Sequence, residues 1–283
     1  MRTGFAPRVL LLLALGSMSP MSESATRFAT AKDGTRIAFD ATGSGPAVML
    51  LHGGGQTRKA WHDAGYVSRL ASEFTVLTVD LRGNGESDRP EDVDAYAIDR
   101  LCDDLIAVAD AAEVSDFALW GFSYGANVGR YLAARSDRVK SMIYIGIPFG
   151  PATGGAFRQY IVDTRSKWNP VIEKARAGTL DPSSLPDADR ARWESGVVPL
   201  TLAWLGAMLD YPPIEPSDLD CPTLWLVGSE NQSAMESARA YEGKLDGTKV
   251  TLHSVPGLTH PQELSEIDRV LEAEVAFTRA QAR

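Results

Sequence analysis

Three short apolar runs, each closed by glycine, constrain this chain more than any other feature: "PAVMLLHGGG", "FTVLTVDLRGNGES" and "FALWGFSYG". A run that stays apolar at every position is buried on both faces, which is the environment of a central parallel strand rather than of a sheet edge. Helical patterns separate them. In "DRLCDDLIAVADAAEV", Leu101, Leu105, Ile106, Val108 and Ala112 form one apolar face with acids opposite, "ANVGRYLAARSD" reads as a second helix, and "VKSMIYIGIP" as the next strand. Repeated β-α-β predicts an α/β fold, a mostly parallel central sheet with helices on both faces. With 283 residues, 44% of them hydrophobic, the chain can bury a core of that size.

The rhythm breaks between residues 150 and 215. That stretch holds Trp168, Trp193 and Trp204, lacks a clear strand and leaves through the proline-rich "YPPIEPSDLDCP". It reads as a small helical cap insertion between core segments 26–149 and 216–283, with its tryptophans either lining a pocket or forming the insertion's own core. Residues 1–25 carry Arg2 and Arg8, an apolar run and then small residues, the pattern of a signal peptide that is too short to span a membrane. On that reading the protein is secreted or periplasmic; the alternative is a non-native extension ahead of a start at Met18 or Met21, giving a cytoplasmic protein.

A net charge of −9 without clustered Lys and Arg argues against nucleic acid and favours a small-molecule partner. The two cysteines, Cys102 and Cys221, have no metal-binding spacing and read as buried thiols. No metal or other cofactor is called for, no stable membrane anchor is indicated, and nothing in the pattern specifies an oligomeric state.

Gly121-Phe122-Ser123-Tyr124-Gly125 falls between a predicted strand and a predicted helix. At such a turn a serine is exposed at the sheet's C-terminal edge, with a helix N-terminus behind it to favour developing negative charge. His52-Gly53-Gly54-Gly55 follows the second buried strand, and the N–H groups of Gly54 and Tyr124 are the candidate donors for the oxyanion of an acyl transfer. A serine needs a base, and the chain has four histidines, His52, His62, His253 and His260. His52 belongs to the turn after its strand, His62 to a polar segment beside Trp61, and His253 to the strand "VTLHSV". His260 sits on the loop "PGLTHPQEL", where a parallel sheet brings it over Ser123.

Together with "DLRGNGESD" (residues 80 to 88), these segments resemble the α/β-hydrolase superfamily over about residues 27 to 280, and within it the cap-bearing branch of esterases, lactonases, carbon-carbon bond hydrolases, cofactor-free perhydrolases and epoxide hydrolases. The resemblance implies that an Asp closes the loop after the sixth parallel strand, in Gly-x-x-Asp. Here the loop reads Gly228-Ser229-Glu230-Asn231, so the acid position holds Asn231, with Glu230 one residue early. Either Glu230 or Asn231 then orients His260. The resemblance implies a serine hydrolase acting through an acyl-enzyme on Ser123 on a small ester, lactone or related carbonyl compound. A perhydrolase using the same residues and a non-catalytic ligand receptor are the alternatives, the second motivated by the missing Asp. Serine in the nucleophile position speaks against epoxide hydrolysis and dehalogenation, which resemble the Asp-nucleophile members.

Overall fold

The computed structural model describes residues 25–282. The N-terminal reading, signal peptide or later start, falls outside the described residues. Eight strands form one sheet: β1 (Arg27–Thr30), β2 (Arg36–Thr42), β3 (Ala47–Leu51), β4 (Thr75–Val79), β5 (Phe117–Phe122), β6 (Val139–Ile145), β7 (Thr223–Gly228) and β8 (Val250–Val255), in the order β1-β2-β4-β3-β5-β6-β7-β8. β1 and β2 pair antiparallel at one edge, and every pairing from β4 onward is parallel. Helices α1 (Lys59–Asp63) and α2 (Tyr66–Leu70) join β3 to β4, α3 (Ile98–Ala111) joins β4 to β5, and α4 (Tyr124–Ala133) follows β5. Helices α5 (Gly155–Arg176), α6 (Asp187–Glu194) and α7 (Val197–Met208) lie between β6 and β7, α8 (Gln232–Ala240) joins β7 to β8, and α9 (Gln262–Ser265) and α10 (Leu271–Gln281) close the chain.

The continuous apolar runs are buried on both sides, and their period of two sorts them. Met49, Leu51, Leu119, Met142 and Trp225 pack with α3, α4 and α8 in one core. Val48, Leu50, Trp120, Ile143 and Leu224 pack with α1, α2, α9 and α10 in the other. Each such side chain contributes roughly 1.5–3 kcal/mol relative to exposure, which fixes the register that carries the loops at the strand ends.

The "DLRGNGESD" segment is a structural knot. Asp80 accepts from the Arg58 N–H at 2.7 Å and the Glu86 N–H at 2.9 Å, and pairs with the Arg58 guanidinium, which also reaches Asp40 at 2.7 Å and Glu86 at 2.6 Å. Gly85 has φ 55°, and a Cβ there would sit 2.0 Å from an Asp80 oxygen, so the turn requires glycine. Arg82 is buried against Asp104 at 2.6 Å and Asp33 at 2.7 Å. Burial pushes the Asp104 carboxyl up to about 6 despite that guanidinium. The knot anchors the start of α1 and, through it, one wall of the cavity described below.

Between β6 and β7, Gly150 and Ile214 exchange both backbone hydrogen bonds, at 2.8 and 3.1 Å, and tie the base of the helical segment that carries α5, α6 and α7. Trp168 and Trp193 stack there with centroids 6.5 Å apart, beside Val198 and Leu202, as a small core of its own. Trp204 is not part of it. Cys102 and Cys221 are free buried thiols. Among the described residues, no helix is long and apolar enough to cross a membrane.

Candidate active site

Ser123 sits between β5 and α4 with φ 52° and ψ −114°, a left-handed conformation that costs a non-glycine residue on the order of 1–3 kcal/mol. Its flanking glycines are steric requirements. A Cβ on Gly121 would lie 2.5 Å from Ala126 Cα, and one on Gly125 would lie 2.3 Å from the Leu51 carbonyl oxygen. Strand, turn and helix therefore approach closely enough to hold the strained serine, whose hydroxyl is half-buried at the sheet edge.

Ser123 Oγ lies 3.0 Å from His260 Nε2, and His260 Nδ1 lies 2.7 Å from Glu263 Oε2. The imidazole stacks on Phe122, centroids 4.9 Å apart and planes inclined by 26°. The carboxylate is fully buried. Its Oε1 accepts the Gly228 N–H at 2.7 Å and Asn231 Nδ2 at 2.9 Å; its Oε2 takes His260 and, at 3.2 Å, the same Asn231 nitrogen. A buried carboxylate left without donors would be costly, and these charge-assisted bonds offset that cost.

The expected third member is therefore corrected. Glu230 is exposed, its N–H bonds the Leu258 carbonyl at 3.0 Å, and its carboxylate takes a contact from Ser229 Oγ at 3.4 Å rather than from His260. Asn231 does reach the imidazole, with Nδ2 3.3 Å from His260 Nδ1, but its amide nitrogen is directed at Glu263 and at the Gly146 carbonyl, 2.8 Å away. Its Oδ1 meanwhile caps α8 through the Ala234 N–H at 3.4 Å. Asn231 thus stands where the resemblance expects the acid, and the carboxylate within hydrogen-bond distance of His260 is that of Glu263. The signal for Glu263 was the spacing His-x-x-Glu, which puts both side chains on one face of a single helical turn. Gln262 fixes that turn, its Oε1 accepting from Thr259 N–H and Oγ at 3.0 and 2.7 Å.

Gly146, just past β6, makes the arrangement sterically feasible. Its φ is 79°, and a Cβ would fall 2.1 Å from Glu263 Oε2 and 2.7 Å from His260 Nδ1. The other histidines are occupied elsewhere. His52 is buried, takes the Leu81 N–H on Nε2 at 3.1 Å and meets the Gly53 carbonyl with Nδ1 at 2.7 Å; desolvation lowers its pKa, so a neutral ring braces the glycine loop. His62 lies 3.3 Å from Thr78 Oγ1, and His253 is within β8.

Gly54 and Tyr124 come together beside Ser123. A Cβ on Gly54 would lie 3.6 Å from Tyr124 Cβ, the Gly54 N–H has no acceptor among the described residues, and Tyr124 opens α4, where N–H groups have no intrahelical partner. Trp204 of α7 covers this pair, 4.9 Å from the Tyr124 ring and 3.2 Å from the Gly54 Cβ position. Of the insertion's tryptophans, it is the one that reaches the site. On the other side a cavity of about 690 Å³ opens against Ser123 and His260, walled by Ala60, Ala64, Phe122 and Leu264 with Gln56 and Asp63. A hydroxyl, an imidazole and a buried carboxylate in a row, beside unpaired N–H groups and an accessible cavity, have the parts that acyl transfer requires.

The chain belongs to the α/β-hydrolase family, whose model matches residues 46–234 under the description "alpha/beta hydrolase fold". It is 31% identical over 144 residues to bifunctional epoxide hydrolase 2 of Sus scrofa, which covers 50% of this chain and 25% of that protein. It is 32% identical over 123 residues to epoxide hydrolase 1 of Siraitia grosvenorii, covering 43% of this chain and 38% of that protein. The chain thus spans well under half the length of these curated relatives. An epoxide hydrolase from Vigna radiata superimposes with a TM-score of 0.68 at 18% identity, covering 93% of this chain and 100% of that one. An esterase from Thermogutta terrifontis does so at 0.66 and 22% identity, covering 92% and 100%. These two show the fold.

Proposed function

We propose that the protein is a serine hydrolase of small carboxylic esters, lactones or related carbonyl compounds. The observation that carries this reading is the unbroken row from Ser123 Oγ through His260 to the buried Glu263, at 3.0 and 2.7 Å. Ser123 attacks the carbonyl carbon while its proton passes to His260 Nε2. The oxyanion takes the N–H groups of Gly54 and Tyr124, and Glu263 accepts Nδ1–H and stabilises the imidazolium. Collapse expels the alcohol, protonated by His260, and a water activated by the same ring releases the acid.

Three of the proteins described above are named epoxide hydrolases, and the chemistry here argues against that activity. Opening an epoxide with a serine oxygen would leave an alkyl ether that no nearby group can hydrolyse, whereas a carboxylate nucleophile leaves a cleavable ester. The receptor reading rested on an absent acid, and Glu263 removes its motive. Incubation with a fluorophosphonate, followed by peptide mass spectrometry, tests the proposal. The expected result is a single adduct on Ser123 and loss of p-nitrophenyl acetate hydrolysis in Ser123→Ala; hydrolysis that persists in that variant would refute it.

A further inference from the structure

The cavity beside Ser123 is walled mostly by small and apolar groups, and apart from His260 it contains one ionisable side chain, Asp63. Asp63 ends α1 at the rim, is exposed, and forms no hydrogen bond or ion pair among the described residues. Of the two cations at the start of α1, Arg58 is committed to Asp40, Asp80 and Glu86, and Lys59, one turn before Asp63 and exposed, forms no ion pair with it. A carboxylate without an ion-pair partner, lining a pocket that has no lysine or arginine in its wall, favours positive charge in that pocket and disfavours negative charge.

Resting on the hydrolase reading above, we propose that Asp63 is a specificity-determining residue. It selects esters whose portion in this cavity carries an ammonium group over neutral isosteres, and both over carboxylate-bearing ones. The wall from Ala60, Ala64 and Leu264 accommodates the alkyl groups of such a cation, and Asp63 interacts with its charge across the rim. At a water-exposed rim the discrimination is on the order of threefold to tenfold in kcat/KM per unit charge at low salt, and it shrinks as the Debye length shortens.

The test uses acetylcholine and its uncharged isostere tert-butylethyl acetate, with p-nitrophenyl acetate as reporter, in wild type, Asp63→Asn and Ser123→Ala. Hydrolysis of the reporter that requires Ser123 checks the hydrolase reading by itself. The expected further result is a kcat/KM ratio of cationic to neutral ester several-fold above one, falling toward one in Asp63→Asn and in high salt. A ratio near one in wild type, or one that Asp63→Asn leaves unchanged, overturns the charge selection while leaving the hydrolase reading intact. Reporter hydrolysis independent of Ser123 overturns both.

Discussion

Glu263 Oε2 stands 2.7 Å from the Nδ1 of His260, three residues before it on the same turn of chain. Imidazole and carboxylate thus come from one short local element, and the loop after β7, where the resemblance expects the acid, contributes an amide to the same carboxylate. Asn231 and the Gly228 N–H hold the carboxylate in place from the end of β7, and Gly146 packs against it from the end of β6, so three segments of chain converge there. This convergence explains why residues distant in sequence should respond to substitution as a unit.

Restoring the expected aspartate should lower the proposed hydrolysis. In Asn231→Asp, a carboxylate replaces the amide nitrogen that lies 2.9 and 3.2 Å from the two Glu263 oxygens and 2.8 Å from the Gly146 carbonyl. Two carboxylates at that distance do not both stay ionised without cost, and one takes a proton or turns away. The kcat for p-nitrophenyl acetate should fall by roughly tenfold or more. An increase in kcat would show that position 231 is the natural seat of the acid.

Gly146→Ala should inactivate the protein beyond what backbone strain explains. The added Cβ would meet both Glu263 Oε2, at 2.1 Å, and His260 Nδ1, at 2.7 Å. Gly34→Ala is the matched control: φ is 85°, but nothing lies within 4 Å of its Cβ position. Both should lose about 1 kcal/mol or more of stability in urea unfolding, and Gly146→Ala alone should lose most of its activity.

Removal of the Trp204 indole should broaden acyl-chain acceptance. The ring rests on Tyr124 at 4.9 Å and on Gly54, the residues whose N–H groups flank Ser123. In Trp204→Ala the ratio of kcat/KM for p-nitrophenyl octanoate to that for the acetate should rise, while absolute kcat for the acetate falls as water reaches the oxyanion site. An unchanged ratio would mean that the indole does not limit the acyl side.

Glu274 should make the folded state lose stability as pH rises from mildly acidic to about 8. It is fully buried on α10, and burial pushes its carboxyl from 4.5 up to about 8. The Tyr66 hydroxyl lies close enough to act on it, although neither group completes a well-directed hydrogen bond. Below the unfolded value both states hold the proton. Between 4.5 and about 8 the unfolded chain releases it and the folded protein does not, so stability declines through that window and levels off above it. The loss is on the order of 5 kcal/mol. Urea midpoints measured across the window should show the decline in wild type and its removal in Glu274→Gln.

The sequence was most legible where local geometry dictates residue type. Buried runs such as "AVMLL" gave β3 because every position needs an apolar side chain, and G-x-S-x-G was readable because the collisions at Gly121 and Gly125 admit nothing larger. His260 followed from the sheet's direction. Glu263 was not legible in the same way. The His-x-x-Glu spacing brings it beside His260, but its burial and its remaining partners come from Gly146, Gly228 and Asn231 at two other strand ends, and that spacing does not encode their meeting. The expected acid position does lie beside these two side chains, since Asn231 touches both His260 and Glu263. The cavity was least legible, because Asp63 and Ala64 belong to a short helical connection whose polar residues resemble an ordinary loop.

Steady-state hydrolysis of p-nitrophenyl acetate by Glu263→Gln beside Glu230→Gln, with near-ultraviolet circular dichroism to confirm native packing, bears most directly on the Ser123–His260–Glu263 row. Glu263→Gln should lower kcat by roughly 10³ to 10⁴ with little change in KM, in line with loss of the carboxylate behind a catalytic imidazole, and Glu230→Gln should leave kcat where it was. A natively packed Glu263→Gln that keeps its activity while Glu230→Gln loses it would place the acid on the loop after β7 and contradict the assignment of Glu263.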